Sequence, residues 1–316
     1  MSTATRAADT GLTTPKPPAR KPLSIAQKRQ YRAAYMLVLP FFVIFLAMII
    51  VPLGYAGYLS FFRKQLVGGV SFAGFDNYVR AVQDPAFLAG VARMGLILLV
   101  QVPIMLALSL FFALALDSGM TRLSKFIRLG IFVPYAVPSV VATLMWGYLY
   151  GRDFGPFAQL AALVGLPAPD FLSNELVLFS IINVVNWEFI GYNMIIIYAA
   201  LRSIPAELYE AGRVDGASET RIAWSIKIPS VRPALILTVI FSVIGTFQLF
   251  NEPNLLRILA PNAIGSSYTP NLYAYTLAFV NQDANYAAAI AFVLGILIMA
   301  LSYAVQLWNQ RKESRS

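Results

Sequence analysis

The sequence predicts an all-α polytopic membrane protein with six transmembrane helices. Of its 316 residues, 58% are hydrophobic and only 12% are charged, which lies outside the usage of soluble domains. Six segments are long and apolar enough to cross a hydrocarbon core ~30 Å thick at a rise of ~1.5 Å per residue. A lipid bilayer is therefore the expected solvent for most of the chain.

Four of the six predicted helices contain no charged residue, one contains only Glu188, and one is short but uncharged. Around them we predict a membrane domain over 33–310, a disordered tail at 1–32 and a short tail at 311–316. The first tail is rich in Ala, Thr, Pro and Lys, and it has no apolar run of the kind found in a cleavable signal peptide. The predicted helices cover about 36–61, 94–116, 129–150, 176–201, 234–250 and 286–308.

The positive charges predict how the chain is oriented. If the N-terminus is inside, the four inner segments hold 7, 3, 5 and 3 Lys or Arg residues, and the outer segments hold the remaining 6 of the 24. The positive-inside rule then predicts a multi-pass membrane protein with both termini and both tails in the cytoplasm. Because these cations are spread over every inner segment and form no basic face, nucleic-acid binding is excluded.

Several prolines fall inside the predicted helices, at positions 40, 52, 103, 134 and 138. Each removes a backbone donor and bends its helix, and bent helices can enclose a cavity. Proline is also generally common in membrane helices, which explains any one of them equally well. Pro134 and Pro138 are the most suggestive, because they lie one turn apart.

The composition also limits the chemistry. The chain has no Cys and no His, so thiolate and imidazole metal ligands, Cys nucleophiles and a His general base are all missing. A phosphate-binding loop needs a Gly-Lys dipeptide, and none occurs. We therefore predict that the chain is not an enzyme and has no metal or cofactor of its own.

The segment 202–233, called here the signature loop, has the pattern of a helix, a sharp turn and a second helix. Pro205 suits a first helical turn, the residues after it are mostly good helix formers, Gly216 can end that helix, and Ser218 can cap the next. Leu208, Ala211 and Gly212 fall within one helical turn, beside Glu207 and Glu210. From spacing alone, this surface fits a partner's groove and an amphipathic connector on the membrane equally well.

The residues of this loop resemble a known family. Glu210-Ala211-Gly212, then Asp215-Gly216-Ala217, then Pro229 match the order and spacing of the signature loop of ABC-importer permeases, although the family usually has Ala where Gly212 stands. The segments 75–78, 132–134 and 201–205 are similar to the carbohydrate-uptake permeases, of which the maltose type is the archetype.

The resemblance implies the type I importer fold, with a permease domain that pairs with a second, homologous permease in the lipid of the bacterial plasma (inner) membrane. It implies two cytoplasmic ABC ATPase subunits, which bind ATP and Mg, and an extracytoplasmic solute-binding protein. The loop would dock on an ATPase and couple it to transport. The coupling residues implied in this way are Glu207, Glu210, Ala211, Gly212, Asp215, Gly216, Ala217 and Pro229.

Polar and aromatic residues at membrane depth are the candidates for contacting a solute. Glu188 is the clearest, because a carboxylate in mid-span costs a few kcal/mol unless it faces water or a partner. For Ser242 and Thr246, hydrogen bonding between helices is an equal alternative. The complete predicted substrate pathway is Trp187, Glu188, Tyr192, Asn193, Ser242, Thr246, Gln248, Asn251 and Glu252.

Together these features predict import of a sugar or oligosaccharide by alternating access. An alternative within the same class is another polar solute, such as an amino acid, a peptide or a polyol phosphate. Two alternatives from other classes are an ion-coupled secondary transporter and an intramembrane enzyme. The first would predict inverted repeats and broken helices, and the second would need His, Cys or paired acids.

Overall fold

The computed structural model describes residues 25–65, 68–118 and 123–313. The described residues are largely helical, which confirms the predicted all-α fold class. The chain divides into two compact units, 1–54 and 55–316. This division differs from the predicted start of the membrane domain at residue 33.

The first unit begins with helix α1 (Ile25–Phe45), which continues through a single π-helical turn (Leu46–Ile50) into α2 (Val51–Ser60). Residues 25–32, predicted as part of a disordered tail, are therefore helical. The reason is that Ala, Gln, Lys and Arg, which dominate this stretch, are strong helix formers and extend the apolar helix that follows. The rest of the predicted tail lies outside the described residues.

The second unit begins at Tyr55, inside α2, and continues through a short antiparallel hairpin and the remaining helices. The elements that follow α2 are β1 (Phe62–Lys64), β2 (Val70–Phe72), α3 (Asp76–Gln83), α4 (Pro85–Asp117), α5 (Ser124–Ala136), α6 (Ser139–Leu149) and α7 (Pro156–Leu163). They are followed by α8 (Val177–Arg202), α9 (Ala206–Val214), α10 (Glu219–Ile222), a π-helical turn (Ala223–Lys227), α11 (Ile228–Ser230) and α12 (Arg232–Phe247). The last are α13 (Asn251–Leu256), α14 (Pro270–Tyr275), a π-helical turn (Thr276–Val280) and α15 (Ala284–Glu313).

Five helical stretches are long and apolar enough to cross a membrane, and a bent pair of helices can count as a sixth. The five are Gln27–Ser60, Pro85–Asp117, Val177–Arg202, Arg232–Leu256 and Ala284–Arg311. Helix α15 extends to Glu313, into the tail predicted at 311–316, whose last three residues are outside the described part.

The bent pair corrects the prediction of one continuous helix at 129–150. Helices α5 and α6 meet at an angle of 97°. Between them Val137 is extended (φ −77°, ψ 128°), because the residue before a proline is kept out of the helical region, and Pro138 then begins α6 from its N-cap position. The pair of prolines thus divides this segment, whereas α4 passes through Pro103 and α1 through Pro40 as helices.

A cluster around Asp84 fixes the N-terminal end of α4. The Asp84 carboxylate accepts hydrogen bonds from the hydroxyls of Tyr273 (2.8 Å) and Tyr286 (2.7 Å), and it caps α4 at the N–H of Ala86 (2.9 Å). Burial acts to raise the pKa of Asp84, but these hydrogen bonds and one from the Phe87 N–H outweigh it and hold the pKa below its ordinary value. The carboxylate is therefore ionised at neutral pH.

Helix α8 packs against α4 on one side and α5 on the other. The Ser109 hydroxyl of α4 donates to the Ile190 carbonyl of α8 at 2.9 Å. At the crossing with α5, a Cβ on Gly191 would overlap the backbone carbonyl of Ile131, so only glycine permits the observed approach. This contact sets the position of the whole central part of α8.

We expect Gly191→Ala to destabilise the protein by about 1–3 kcal/mol, because the added methyl group must push two backbones apart. The melting temperature of the purified protein in detergent would measure the loss. The matched control is Gly130→Ala on α5, where a Cβ would meet nothing within 4 Å and where alanine favours the helix. Equal melting temperatures for the Gly191 variant and the unchanged protein would contradict the proposed constraint.

Candidate functional site

A cavity of about 300 Å³ opens among α4, α6, α8 and α12. The cavity lining includes the non-helical residues 248–250, which separate α12 from α13. The helix predicted at 234–250 therefore ends earlier, at Phe247. The lining residues are Gln101, Met105, Ser139, Val185, Glu188, Phe189, Tyr192, Asn193, Phe241, Ser242, Gly245, Thr246, Gln248, Leu249, Phe250, Asn251 and Glu252.

Eight of the nine residues predicted for a substrate pathway line this one cavity. The exception is Trp187, whose ring packs edge-on against Trp146 with centroids 5.9 Å apart. Successive residues of a helix point about 100° apart, so Trp187 and Glu188 face different neighbours. The structure thus brings together the predicted residues of α8, α12 and α13, and substrate contact by them stays a prediction.

Two buried carboxyl groups face the cavity. Glu188 is 3% exposed and Glu252 is 6% exposed, and Glu188 Oε1 has no hydrogen-bond partner among the described residues. Within the described part of the chain, no Lys or Arg lines the cavity. A buried polar atom without a partner costs free energy, so these carboxyl groups suit a ligand that brings hydroxyl or amide hydrogens.

Amide and hydroxyl groups form a second polar wall. The Thr246 hydroxyl lies 2.8 Å from the Ser242 carbonyl of its own helix and 3.4 Å from Gln101 Oε1 of α4. The Asn251 amide donates to the Ser139 hydroxyl at 2.7 Å. Thr246 therefore makes a hydrogen bond between helices, which was the alternative to solute contact for this residue. The Ser242 hydroxyl instead donates within α12, to the Thr238 carbonyl (2.7 Å).

Aromatic rings supply the apolar part of the lining. Tyr192 stacks on Tyr135 with ring centroids 4.6 Å apart and planes 21° apart, and Phe189 meets Tyr135 edge-on. Phe241 and Phe250 line the same cavity. An apolar pocket with a few converging polar groups has the composition of a small-molecule binding site.

Sequence reasoning missed several lining residues, including Gln101, Met105 and Ser139. Gln101 carried a usable signal, because it is the single amide in the apolar segment 94–116. Met105 accepts hydrogen bonds at its sulfur from Gln101 and Asn193, both at 3.3 Å, and nothing in the sequence distinguishes it from a core methionine. Ser139 reaches the cavity only because the chain turns sharply before it.

The signature loop folds as a helix, a turn and a second helical arm. Helix α9 ends at Val214, and the chain turns at Gly216, whose φ of +76° is a conformation that glycine adopts without strain. The Ala217 N–H donates to the Gly212 carbonyl at 2.9 Å and closes the turn, and the Ser218 hydroxyl accepts from the Arg221 N–H at 3.3 Å to cap the second arm. Pro205 is the N-cap of α9 and not, as predicted, part of its first turn.

Six of the eight predicted coupling residues are exposed, namely Glu207, Glu210, Ala211, Asp215, Gly216 and Pro229. Gly212 and Ala217 are partly buried. A Cβ on Gly212 would lie 3.3 Å from Ile226 and 3.5 Å from Ile222, so this residue faces the second arm of the loop. Gly212 therefore lies in the contact between the two arms, whereas Leu208 and Ala211 of the same helical turn are exposed.

Large apolar side chains are exposed on both arms of the loop. Leu208 is 48% exposed, Val214 is 87% exposed and Trp224 is 69% exposed. Leu208 and Val214 belong to the same helix as the acidic residues Glu207 and Glu210. The part of the chain that the structure describes contains no group of three or more His, Cys, Asp or Glu that could hold a metal ion.

Comparison with known proteins identifies relatives of the whole chain. Residues 22–315 match the family described as binding-protein-dependent transport system inner membrane component. The arabinooligosaccharides transport system permease protein AraP of Bacillus subtilis is 28% identical over 279 residues, with 85% of this chain and 86% of that protein covered. The lactose transport system permease protein LacF of Rhizobium radiobacter is 31% identical over 242 residues, with 74% and 80% covered.

The fold is likewise similar to a solved one. A chain of a bacterial ABC transporter involved in the import of the acidic polysaccharide alginate superposes with a TM-score of 0.77 at 19% identity, over 90% of this chain and 96% of that chain. These relatives are membrane components of transporters and not enzymes. With its matching profile, its apolar helices and its signature loop, the chain belongs to the family of binding-protein-dependent transport system inner membrane components.

Proposed function

We propose that this protein is the permease subunit of an ABC importer that carries a sugar or oligosaccharide into the cytoplasm by alternating access. The substrate class is inferred from the cavity, which is lined by aromatic rings, two carboxyl groups and several amides and hydroxyls. Sugars present hydroxyl donors and an apolar ring face, which match such walls. The curated relatives named for arabinooligosaccharides and lactose support the same class.

Within ABC import, the cavity disfavours anionic solutes. Among the residues that the structure describes, the acids Glu188 and Glu252 line the cavity and no Lys or Arg does, so an anion would find no compensating cation there. A polyol phosphate therefore fits less well than a neutral sugar.

We also propose that the signature loop docks on a cytoplasmic ATPase. Its exposed Leu208, Val214 and Trp224 provide apolar contact area, and Glu207 and Glu210 provide charge at the rim. The assembly would contain two such ATPases, which bind ATP and Mg, and a second homologous permease. A solute-binding protein would dock on the opposite side of the membrane, and a solved relative of this fold is described in complex with a periplasmic protein.

Replacing Glu188 with Ala should lower sugar uptake at least tenfold, because the cavity loses its central acceptor while the bundle keeps its packing. Uptake is measured in cells with a panel of labelled mono- and oligosaccharides, and assembly is measured by co-purification of the partner subunits. The matched control is Glu175→Ala, which removes an exposed carboxylate outside the cavity. Unchanged uptake of every sugar would place the substrate site elsewhere.

Replacing Gly216 with Val, or Glu210 with Lys, should uncouple ATP hydrolysis from uptake. Valine strains the left-handed turn by about 1–2 kcal/mol, and lysine reverses a charge on the docking surface. The ratio of ATP hydrolysed to sugar imported, in vesicles that contain the whole complex, is expected to rise severalfold. Gly165→Val introduces the same strain at a φ of +72° outside the loop and should leave the ratio unchanged. Normal coupling in both loop variants would remove the docking proposal.

The proposed orientation is testable because the natural chain has no cysteine. A cysteine introduced at the exposed Asp153 should react with a membrane-impermeant maleimide added to intact cells. One introduced at the exposed Ser225, in the signature loop, should react only after the membrane is opened. The reverse pattern would invert the topology and place both termini outside.

A further inference from the structure

A buried ion pair joins the signature loop to helix α4. Lys227 Nζ lies 2.6 Å from Asp117 Oδ2, and the two side chains are only 8% and 5% exposed. The other described ion pairs lie on the surface, with side chains at least 31% exposed. The two residues are 110 positions apart in sequence, and α5 to α8 lie between α4 and the loop along the chain.

Two local features of the chain bring Asp117 and Lys227 together. Asp117 is the last residue of α4, where the helix dipole disfavours an acid, so its carboxylate needs a cation close by. Lys227 is the last residue of the π-helical turn Ala223–Lys227. A π turn adds a residue to the helical repeat and so changes the direction in which the following side chains point.

Lys227 also contacts the first arm of the loop. Its ammonium group lies 5.1 Å from the centroid of the Tyr209 ring of α9. The Tyr209 hydroxyl in turn lies 3.4 Å from the Leu201 carbonyl near the end of α8. A single buried lysine therefore touches α4 and both arms of the signature loop.

Apolar packing surrounds the ion pair. Leu116 and Ala113 of α4 belong to one buried cluster with Leu201 of α8 and Val231, the residue that precedes α12. Leu201 and Val231 are almost completely buried. The end of α4 is thus packed against the base of the loop, and little of either charged side chain is exposed to water.

From Asp117, α4 continues to the cavity. Met105 and Gln101, which line it, lie 12 and 16 residues before Asp117 on the same helix. At a rise of ~1.5 Å per residue these distances are roughly 18 and 24 Å. A displacement of the Asp117 end is therefore carried along one helix to two side chains of the cavity wall.

We propose that the Asp117–Lys227 pair is the positioning contact through which the signature loop moves α4 and, with it, the Gln101 and Met105 wall of the cavity. The inference rests on the proposed docking of the loop on an ATPase. Separating the pair would leave an uncompensated charge in an apolar environment, which is strongly unfavourable. When the loop is displaced, α4 follows it, although the two elements are not adjacent in the sequence.

The test reports cavity access directly and needs no identified sugar. Met105→Cys introduces the single cysteine of the chain into the cavity wall, and its rate of reaction with a hydrophilic maleimide is measured in the whole complex, with and without ATP and vanadate. With the natural pair we expect ATP and vanadate to change this rate at least fivefold. In Lys227→Met and in Asp117→Asn the change should fall below twofold, while the ATPase still co-purifies and still hydrolyses ATP.

Two further variants separate positioning from simple loss of structure. Exchanging the charges, Asp117→Lys with Lys227→Asp, should restore the response, because a lysine is well placed at the C-terminus of α4. Arg152→Ala, which breaks an exposed ion pair with Asp170, should leave it unchanged. If single variants do not accumulate as folded protein, Asp117→Leu with Lys227→Met removes both charges together and should lose the response.

A full ATP-driven response in folded chains that lack the pair would overturn the inference and reduce the pair to a structural role. Failure of the unchanged signature loop to retain an ATPase would remove the proposed docking, and the inference with it. The two failures are distinguishable because co-purification reports docking and the labelling rate reports movement of α4.

Discussion

The contact between α4 and α8 is the constraint on which the rest of the structure depends. Buried polar groups need partners in an apolar environment, and these helices supply them to each other, through Ser109 to the Ile190 carbonyl and through Asn193 to the sulfur of Met105. Gly191 lets α5 approach α8 from the other side. With α8 fixed in this way, Glu188 and Tyr192 are held in the wall of the cavity.

The break between α5 and α6 gives this arrangement its opening. A straight helix across 129–150 would present one face to α8 along its whole length, whereas the bend of 97° directs α6 away from α5 and brings Ser139 to the cavity. The interruption at 248–250 has a similar effect, because it places Asn251 within hydrogen-bonding distance of Ser139. Irregular backbone at this depth is tolerated where it borders a cavity and not lipid.

Helix α4 is held by a carboxylate at each end. Asp84 is bound by two tyrosine hydroxyls and caps the first turn, and Asp117 is bound by Lys227 of the signature loop. The first carboxylate agrees with the helix dipole and the second opposes it, so the Asp117 end depends on a group supplied by the loop. A helix that is fixed at one end and held by the loop at the other is suited to the proposed transmission of a loop displacement to the cavity between them.

The sequence by itself determined the approximate places of the spanning segments, the turn of the signature loop at Gly216 and a bend at Pro134 and Pro138, although not the complete break that divides α5 from α6. These features follow from local rules, namely hydrophobic length, backbone freedom and the missing proline donor. It also identified eight cavity residues, because polar groups in apolar helices are conspicuous. Only the tertiary structure decided that Trp187 turns away, that Met105 lines the cavity and that Lys227 pairs with Asp117, since each depends on which face of a helix meets a segment distant in sequence.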